Sequence, residues 1–360
     1  MMLQETDVLH AYPTVLEPLD GRMLDHTRLK LDLTSPVLGS GSFADTRRGT
    51  YRCRDDAFDR EVAVKMFREQ LRVDPGSRHR VLQEFHVGSM VRHANLIRIF
   101  GAIEVPGHGL ALVMELAHGG SLRHVLSNRE AHPHIAWSVR SRLLADIAQG
   151  MAKLHSILPR AVMHRDLKTA NVLLSSADVR TAVAKICDFG LAKVAETARS
   201  RSTSAGIKGT FPWKAPECFR EDFECTTKYT TKGDVYSFSV VIFEVVTRAW
   251  PFDGLSETAL IAKLSSSFDP HSRPVLRNIE RGHSIEQQRA EWLEDNPLYT
   301  RRPDLSLAEA GCPEALCALA KRCWADEPIE RPEFSECLAA LNAIRGCASW
   351  QDNRLILNLV

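Results

Sequence analysis

The sequence contains no C-x-x-C pair. Its nine cysteines, at 53, 187, 218, 225, 312, 317, 323, 337 and 347, are odd in number and widely scattered. That argues against a disulfide framework or a zinc site, and points to free thiols in a reducing compartment. The opening stretch MMLQETDVLHAYPTVLEPLDGRMLDH has no basic segment leading into an apolar one, so no signal peptide is expected. Long apolar runs are missing too. The longest, VYSFSVVIFEVV from Val235 to Val246, is too short to span a bilayer and reads as a buried helix. Charge of one sign is also lacking: 46 Lys and Arg nearly cancel 45 Asp and Glu, leaving no field to attract nucleic acid or an anionic membrane. Neither internal repeats nor low-complexity tracts occur. The expectation is a soluble, cytoplasmic protein without a nucleic-acid partner or a transmembrane segment.

A 360-residue chain with 44% apolar residues can build one large or two moderate cores. Between Lys30 and Phe67, LKLDLTSPVLGSGSF, TRRGTYRC and REVAVKMF read as three strands broken by Gly or charged turns. Val81, Leu82, Phe85 and Met90 suit a helix, after which NLIRIFGAIEV and LALVMEL return to strand. Beyond the HGGS turn, with Ser121 a plausible N-cap, the helical patterns are LRHVLSNRE, SVRSRLLADIAQGMAKLHSIL, DVYSFSVVIFEVVTRA, TALIAKLSSS, PEALCALAKRCW and PEFSECLAALNAIR. A strand-rich part followed by a helix-rich one implies an α+β protein of two lobes, joined near Glu115 to His118, with the cleft between lobes as a natural ligand site.

LGSGSFADT, Leu38 to Thr46, lies between two expected strands, where Gly39 and Gly41 would let backbone N–H groups approach phosphates. A ligand-free hairpin would look the same, and the Lys of a Walker loop does not follow. Lys65 ends the apolar run of VAVK, and a cation there could grip phosphate oxygens if a carboxylate fixed it, Glu84 being the candidate. HRDLKTAN, His164 to Asn171, and CDFG, Cys187 to Gly190, carry the densest chemistry. Asp166 could take a proton from an alcohol and Lys168 could neutralise a moving phosphoryl group. Asn171 with Asp188 offers hard oxygen ligands suited to Mg²⁺.

In this order, Gly39-x-Gly41, VAVK, Glu84, RHANL, HRDLKTAN, DFG and APE resemble the eukaryotic protein kinases over Leu31 to Ile344. The resemblance implies a two-lobed kinase-like fold: a small antiparallel sheet with one main helix over 31–115, a hinge at 115–118, and a mostly helical lobe over 119–345. Residues 1–30 would be an N-terminal extension and 346–360 a tail. It further implies ATP and Mg²⁺, or Mn²⁺ in its place, as cofactors. Asp166 would act on the substrate hydroxyl, Asn171 and Asp188 would hold the metal, and Lys65 paired with Glu84 would grip the phosphates. Leu38, Gly39, Ser40, Gly41, Ser42, Phe43, Ala44 and Thr46 would cover the nucleotide. Ala63 and Leu173 would sandwich adenine, Met114 would be the gatekeeper, and the backbone of Glu115 and Ala117 would meet the adenine edge. Glu217 of APE would form a buried ion pair with Arg331.

Lys168 and Thr210 follow the serine/threonine pattern, and GTFPWKAPE with CWADEPIERPEF is similar to the tyrosine kinase-like branch. Protein substrates with Ser or Thr acceptors are therefore expected. A pseudokinase scaffold and a tyrosine or dual-specificity kinase stand as alternatives. Arg165 before Asp166 suggests control by phosphorylation at Ser202, Thr203 or Ser204, through an upstream kinase or autophosphorylation. Three positions depart from the family: Ala44 for a third loop glycine, Thr46 for a Val, and Gly88 for a bulky apolar residue. The last implies that Gly88→Leu raises activity unless a neighbour such as Met90 fills the gap. About 272–307 reads as a variable surface insertion.

Overall fold

The computed structural model describes residues 23–34, 36–40, 44–52, 59–67, 84–89, 91–158, 161–189, 193–194, 211–219, 230–252 and 303–346. Contacts divide the chain into one unit of Met1–Leu122 with Asn171–Ala192 and a second of Arg123–Ala170 with Lys193–Val360. The expectations at Gly41 to Phe43, Met90, Ser202 to Ser204 and Thr210, and most of 272–307, lie outside the described residues.

The first unit is built on an antiparallel sheet of β1 (Leu29–Leu31), β2 (Gly39–Ser40), β3 (Ala44–Arg52), β4 (Asp59–Phe67), β5 (Ile99–Val105) and β6 (Gly109–Glu115). Its order is β1-β3-β4-β6-β5, with β2 paired to β3. Side chains alternate between faces along a strand. Val62, Val64 and Met66 of β4 therefore join Tyr51, Ile103, Val105, Ala111 and Val113 in one core, while Ala63 and Lys65 face the other way. The stretch expected as one opening strand is two. The Asp32 side chain accepts from the Thr34 N–H at 2.8 Å, and Pro36 has no N–H to offer a ladder.

The next segment also differs from the simplest reading. Asn95 to Ile97, expected in strand, bind instead to β9 (Ala184–Ile186), which pairs with β8 (Val172–Leu174). The Ile97 N–H donates to Ile186 O at 2.8 Å, and the Ile186 N–H to Asn95 O at 2.9 Å. β5 consequently starts at Ile99. Residues 84–89 form helix α1. After β6, the Gly119 N–H donates to Leu174 O at 2.9 Å and the Leu174 N–H to Gly120 O at 2.8 Å. The approach needs glycine, since a Cβ at 119 would lie 2.7 Å from the Leu174 Cβ.

Helix α2 (Leu122–Ser127) begins at the boundary, immediately after Ser121. The second unit then holds α3 (Trp137–His155), α4 (Thr231–Thr247), α5 (Glu314–Cys323) and α6 (Phe334–Gly346), with a short pair of β7 (Val162–Met163) and β10 (Lys193–Val194). α3 packs on α6 and α4 on α5. The long apolar run is indeed a helix, and every residue of α4 from Gly233 to Thr247 is buried. A helix apolar all round belongs inside, which leaves its few polar side chains needing partners there. Among the described residues, no helix is long and apolar enough to cross a membrane.

Candidate active site

On the face of β4 opposite the core, the register sets Lys65 between Thr46 of β3 and Leu112 of β6, and Ala63 beside Met114. Lys65 Nζ lies 2.7 and 2.8 Å from the two carboxylate oxygens of Glu84 on α1, and 2.9 Å from Asp188 Oδ1. The sequence separations, 19 and 123 residues, show how far the fold reaches to assemble this trio. Burial works against the ammonium, but the Glu84 and Asp188 carboxylates outweigh it and hold Lys65 above the ordinary lysine value. Burial also pushes the Glu84 carboxyl up, with Lys65 pulling it back. Asp188 has φ 68°, a left-handed conformation that costs a residue bearing a Cβ.

The other expected nucleotide residues of this unit are placed as follows. Gly39 pairs with Thr46 and Ser40 with Asp45, whose Oδ1 accepts from the Ser40 hydroxyl at 2.7 Å. A Cβ at Gly39 would meet nothing within 4 Å, and its φ is not left-handed, so the protein's own packing does not explain a glycine there. Ala44 is buried and Leu38 exposed. In β8, Val172 and Leu174 enter the core and Leu173 turns to the opposite, half-buried face. The Glu115 N–H donates to Arg98 O at 2.9 Å, while its carboxylate meets Lys185 Nζ at 2.9 Å. Asn171, buried, accepts at its carbonyl from the Cys187 N–H at 2.9 Å.

Gly88 does not leave a hole. A Cβ there would run into Ile99, lying 2.9 Å from its Cγ1, and would stand 3.4 Å from Phe189 Cδ2. The space expected to be empty is taken by a branched side chain from β5 and by the ring that follows Asp188. Gly88→Leu is therefore expected to overpack this contact and cost about 1–3 kcal/mol, with activity falling rather than rising. Urea titration of the variant checks it.

In the second unit the HRD loop is fastened to α4. Asp166 is 7% exposed, and its carboxylate receives Lys168 Nζ at 3.0 and 3.3 Å. The loop backbone is held by Asp234: its Oδ2 accepts from the His164 N–H at 2.9 Å and its Oδ1 from the Arg165 N–H at 2.8 Å, with His155 Nε2 2.8 Å away. Burial opposes ionisation of Asp234, yet these donors and the two histidines hold it below the usual carboxylate value. Arg165 has φ 67°. Thr169 is bound to Glu244, again on α4, at 2.6 Å. Glu217 and Arg331 form the expected pair, two parallel bonds of 2.6 and 2.9 Å.

Asp234 and Glu244 are the residues that sequence reasoning missed. A carboxylate within an apolar helix was their one signal, since it must find partners once buried.

A cation clamped by two carboxylates on the sheet of one unit, and a buried carboxylate on a helix-bound loop of the other, are the arrangements a protein kinase domain uses. Residues 33–278 match the family model described as protein tyrosine and serine/threonine kinase, and the chain belongs to that family. It is 30% identical over 322 residues to human (Homo sapiens) mitogen-activated protein kinase kinase kinase 10, an overlap covering 88% of this chain and 28% of the relative. To mitogen-activated protein kinase kinase kinase 7 of Bos taurus it is 30% identical over 300 residues, covering 83% and 41%. The probable serine/threonine-protein kinase roco11 of Dictyostelium discoideum matches at 30% over 261 residues, covering 71% and 14%. The chain thus spans less than half the length of these relatives. The likeness to the tyrosine kinase-like branch holds, and the family works with ATP, a divalent cation and protein substrates.

Proposed function

We propose that this protein is a serine/threonine protein kinase that moves the γ-phosphoryl group of ATP to Ser or Thr hydroxyls of proteins. The observation that carries this reading is the Lys65, Glu84 and Asp188 trio, with Lys65 charged, half-buried and aimed by two carboxylates. Such a cation grips phosphate oxygens. Asp166 accepts the proton of the attacking hydroxyl, and Lys168 beside it offsets charge on the transferring group. Gly39, where a Cβ would meet nothing within 4 Å, leaves room for phosphates, and Ala63, Met114 and Leu173 offer apolar surface to adenine. Leu38, Ser40, Ala44 and Thr46 border the same nucleotide, and the backbone of Glu115 and Ala117 borders its edge.

Asn171 and Asp188 are hard oxygen donors of the kind Mg²⁺ takes, so the donor set fits that cation, which when bound neutralises phosphate charge. The remaining work is done by the chain: it positions the acceptor, excludes water and takes the proton. Phosphorylation among Ser202, Thr203 and Ser204 is proposed as a regulator.

The test is Mg²⁺-dependent transfer of labelled phosphate from ATP to a generic Ser/Thr protein. Lys65→Met is expected to weaken ATP binding and abolish detectable transfer, with labelled Ser or Thr, and not Tyr, in the wild-type product. Transfer that survives Lys65→Met would defeat the reading.

A further inference from the structure

The HRD loop is held by α4 at two points, and only one of them flanks the histidine. Asp234 fixes His164 and Arg165, while Glu244, about 15 Å farther along the helix at 1.5 Å per residue, fixes Thr169. Asp166 lies between these anchors. Glu244 is fully buried. Its Oε1 accepts from the Thr169 hydroxyl at 2.6 Å and lies 3.6 Å from Arg123 Nη1. Its Oε2 accepts from the Trp213 Nε1–H at 2.8 Å and the Thr169 N–H at 3.4 Å.

Trp213 belongs to the segment that carries Glu217, and it is tied to α4 a second time, its carbonyl accepting from the Ser237 hydroxyl at 2.7 Å. Arg123 is steadied over the Trp250 ring at 4.4 Å, and that ring meets Trp213 edge-on at 5.1 Å. One carboxylate therefore joins the HRD loop, the segment that carries Glu217, and α2.

We propose that Glu244 is a positioning residue for the transfer reaction. Its ionised carboxylate sets Thr169, and through it Asp166, and ties that loop to Trp213, so that turnover depends on its charge. This rests on the kinase reading above. The chemistry demands an acceptor: the indole N–H, the backbone N–H and the guanidinium can only donate. Protonation removes the attraction to Arg123 and turns one oxygen into a competing donor, which loosens the Thr169 end of the loop.

Burial pushes the Glu244 carboxyl up to about 7, against the pull of Thr169, Trp213 and Arg123, so this change falls in the physiological range. Among the described residues bound to it, Arg123 from α2 is the charged one, while Thr169 and Trp213 are neutral.

The sign distinguishes this role from mere structural support. A carboxyl whose value is raised on folding from 4.5 to about 7 binds its proton more tightly in the folded state. Its contribution to stability therefore improves as pH falls through that window. Turnover is expected to move the other way, falling as pH drops through about 7.

The experiment measures steady-state transfer by the full chain to a Ser/Thr peptide, and thermal unfolding at the same pH values, for the wild type, Glu244→Gln, Thr169→Val and Thr169→Ser. Glu244→Gln should lower kcat roughly ten- to a hundredfold, leave the KM for ATP unchanged, and abolish both the acid fall in turnover and the opposing slope in unfolding temperature. Thr169→Val should lower kcat similarly, with Thr169→Ser restoring most of it. If Glu244→Gln does not fold, the Thr169 pair decides.

A Gln variant that keeps the wild-type acid limb, or a Thr169→Val enzyme with normal kcat, overturns the inference. A wild type that transfers no phosphate at any pH overturns the kinase reading instead, and the role assigned to Glu244 falls with it.

Discussion

Asp166→Asn should lower turnover by roughly 10²–10⁴-fold while leaving ATP binding and folding nearly intact. The amide fills the same space but cannot take the proton of the attacking hydroxyl. It also withdraws the charge that Lys168 Nζ meets at 3.0 Å. The loop itself should stay in place, because it is fastened to α4 on both sides of this carboxylate. Asp234 holds the backbone N–H groups of His164 and Arg165, and Glu244 holds Thr169. Lys65, Glu84 and Asp188, proposed above to serve the nucleotide, belong to the other unit. Single-turnover transfer, nucleotide titration and a thermal melt, run together, separate these effects. A variant that keeps full turnover would remove Asp166 from the mechanism, and one that unfolds would make its role structural.

The largest effect on stability is expected at Arg331. Its guanidinium is 1% exposed and every direction of its fork is used: Glu217 at 2.6 and 2.9 Å, and the carbonyls of Ala325, Lys232 and Asp326 at 2.9, 3.0 and 3.3 Å. The Tyr236 ring covers it at 5.2 Å. Truncation to Ala leaves the Glu217 carboxylate without its counter-ion and removes the donor that the carbonyls of Ala325, Lys232 and Asp326 share. Breaking a buried pair in this one-sided way costs about 3–5 kcal/mol, a large part of a domain's stability. Arg331→Lys should recover little, since a point charge cannot reproduce the planar fork. Denaturant midpoints for both variants check this. A loss under about 1 kcal/mol in Arg331→Ala would mean that the pair behaves like an exposed one.

What could be read from the sequence was what depends on local pattern or on a residue's chemistry. The alternation of REVAVKMF carries β4 and puts Lys65 on the side away from Val64 and Met66. The unbroken apolar run carries α4. Glu84 was named as the partner of Lys65 on chemical grounds, and the two stand 2.7 Å apart. What escaped depends on contacts between distant segments. Asn95 and Ile97 look like strand residues, but their hydrogen bonds go to β9 rather than to a neighbour in the sheet. Gly88 looked like a missing side chain because the sequence does not show that Ile99 occupies its place. Asp234 and Glu244 read as interruptions of a hydrophobic helix, since their hydrogen-bond partners are 31 to 79 residues away.

Arg165 and Asp188 share the left-handed backbone described above. A residue with a Cβ held there costs of order 1–3 kcal/mol, which glycine would not incur. Stability alone would therefore favour their loss. In a descendant released from chemistry, drift toward glycine at either position would be rewarded by a firmer fold. The chain offsets part of that cost through the bonds these residues make, Asp188 to Lys65 Nζ at 2.9 Å and the Arg165 N–H to Asp234 at 2.8 Å. On the kinase reading proposed above, these two backbone angles are strain that the site's use helps to offset, held in conformation rather than in the identity of the reacting groups.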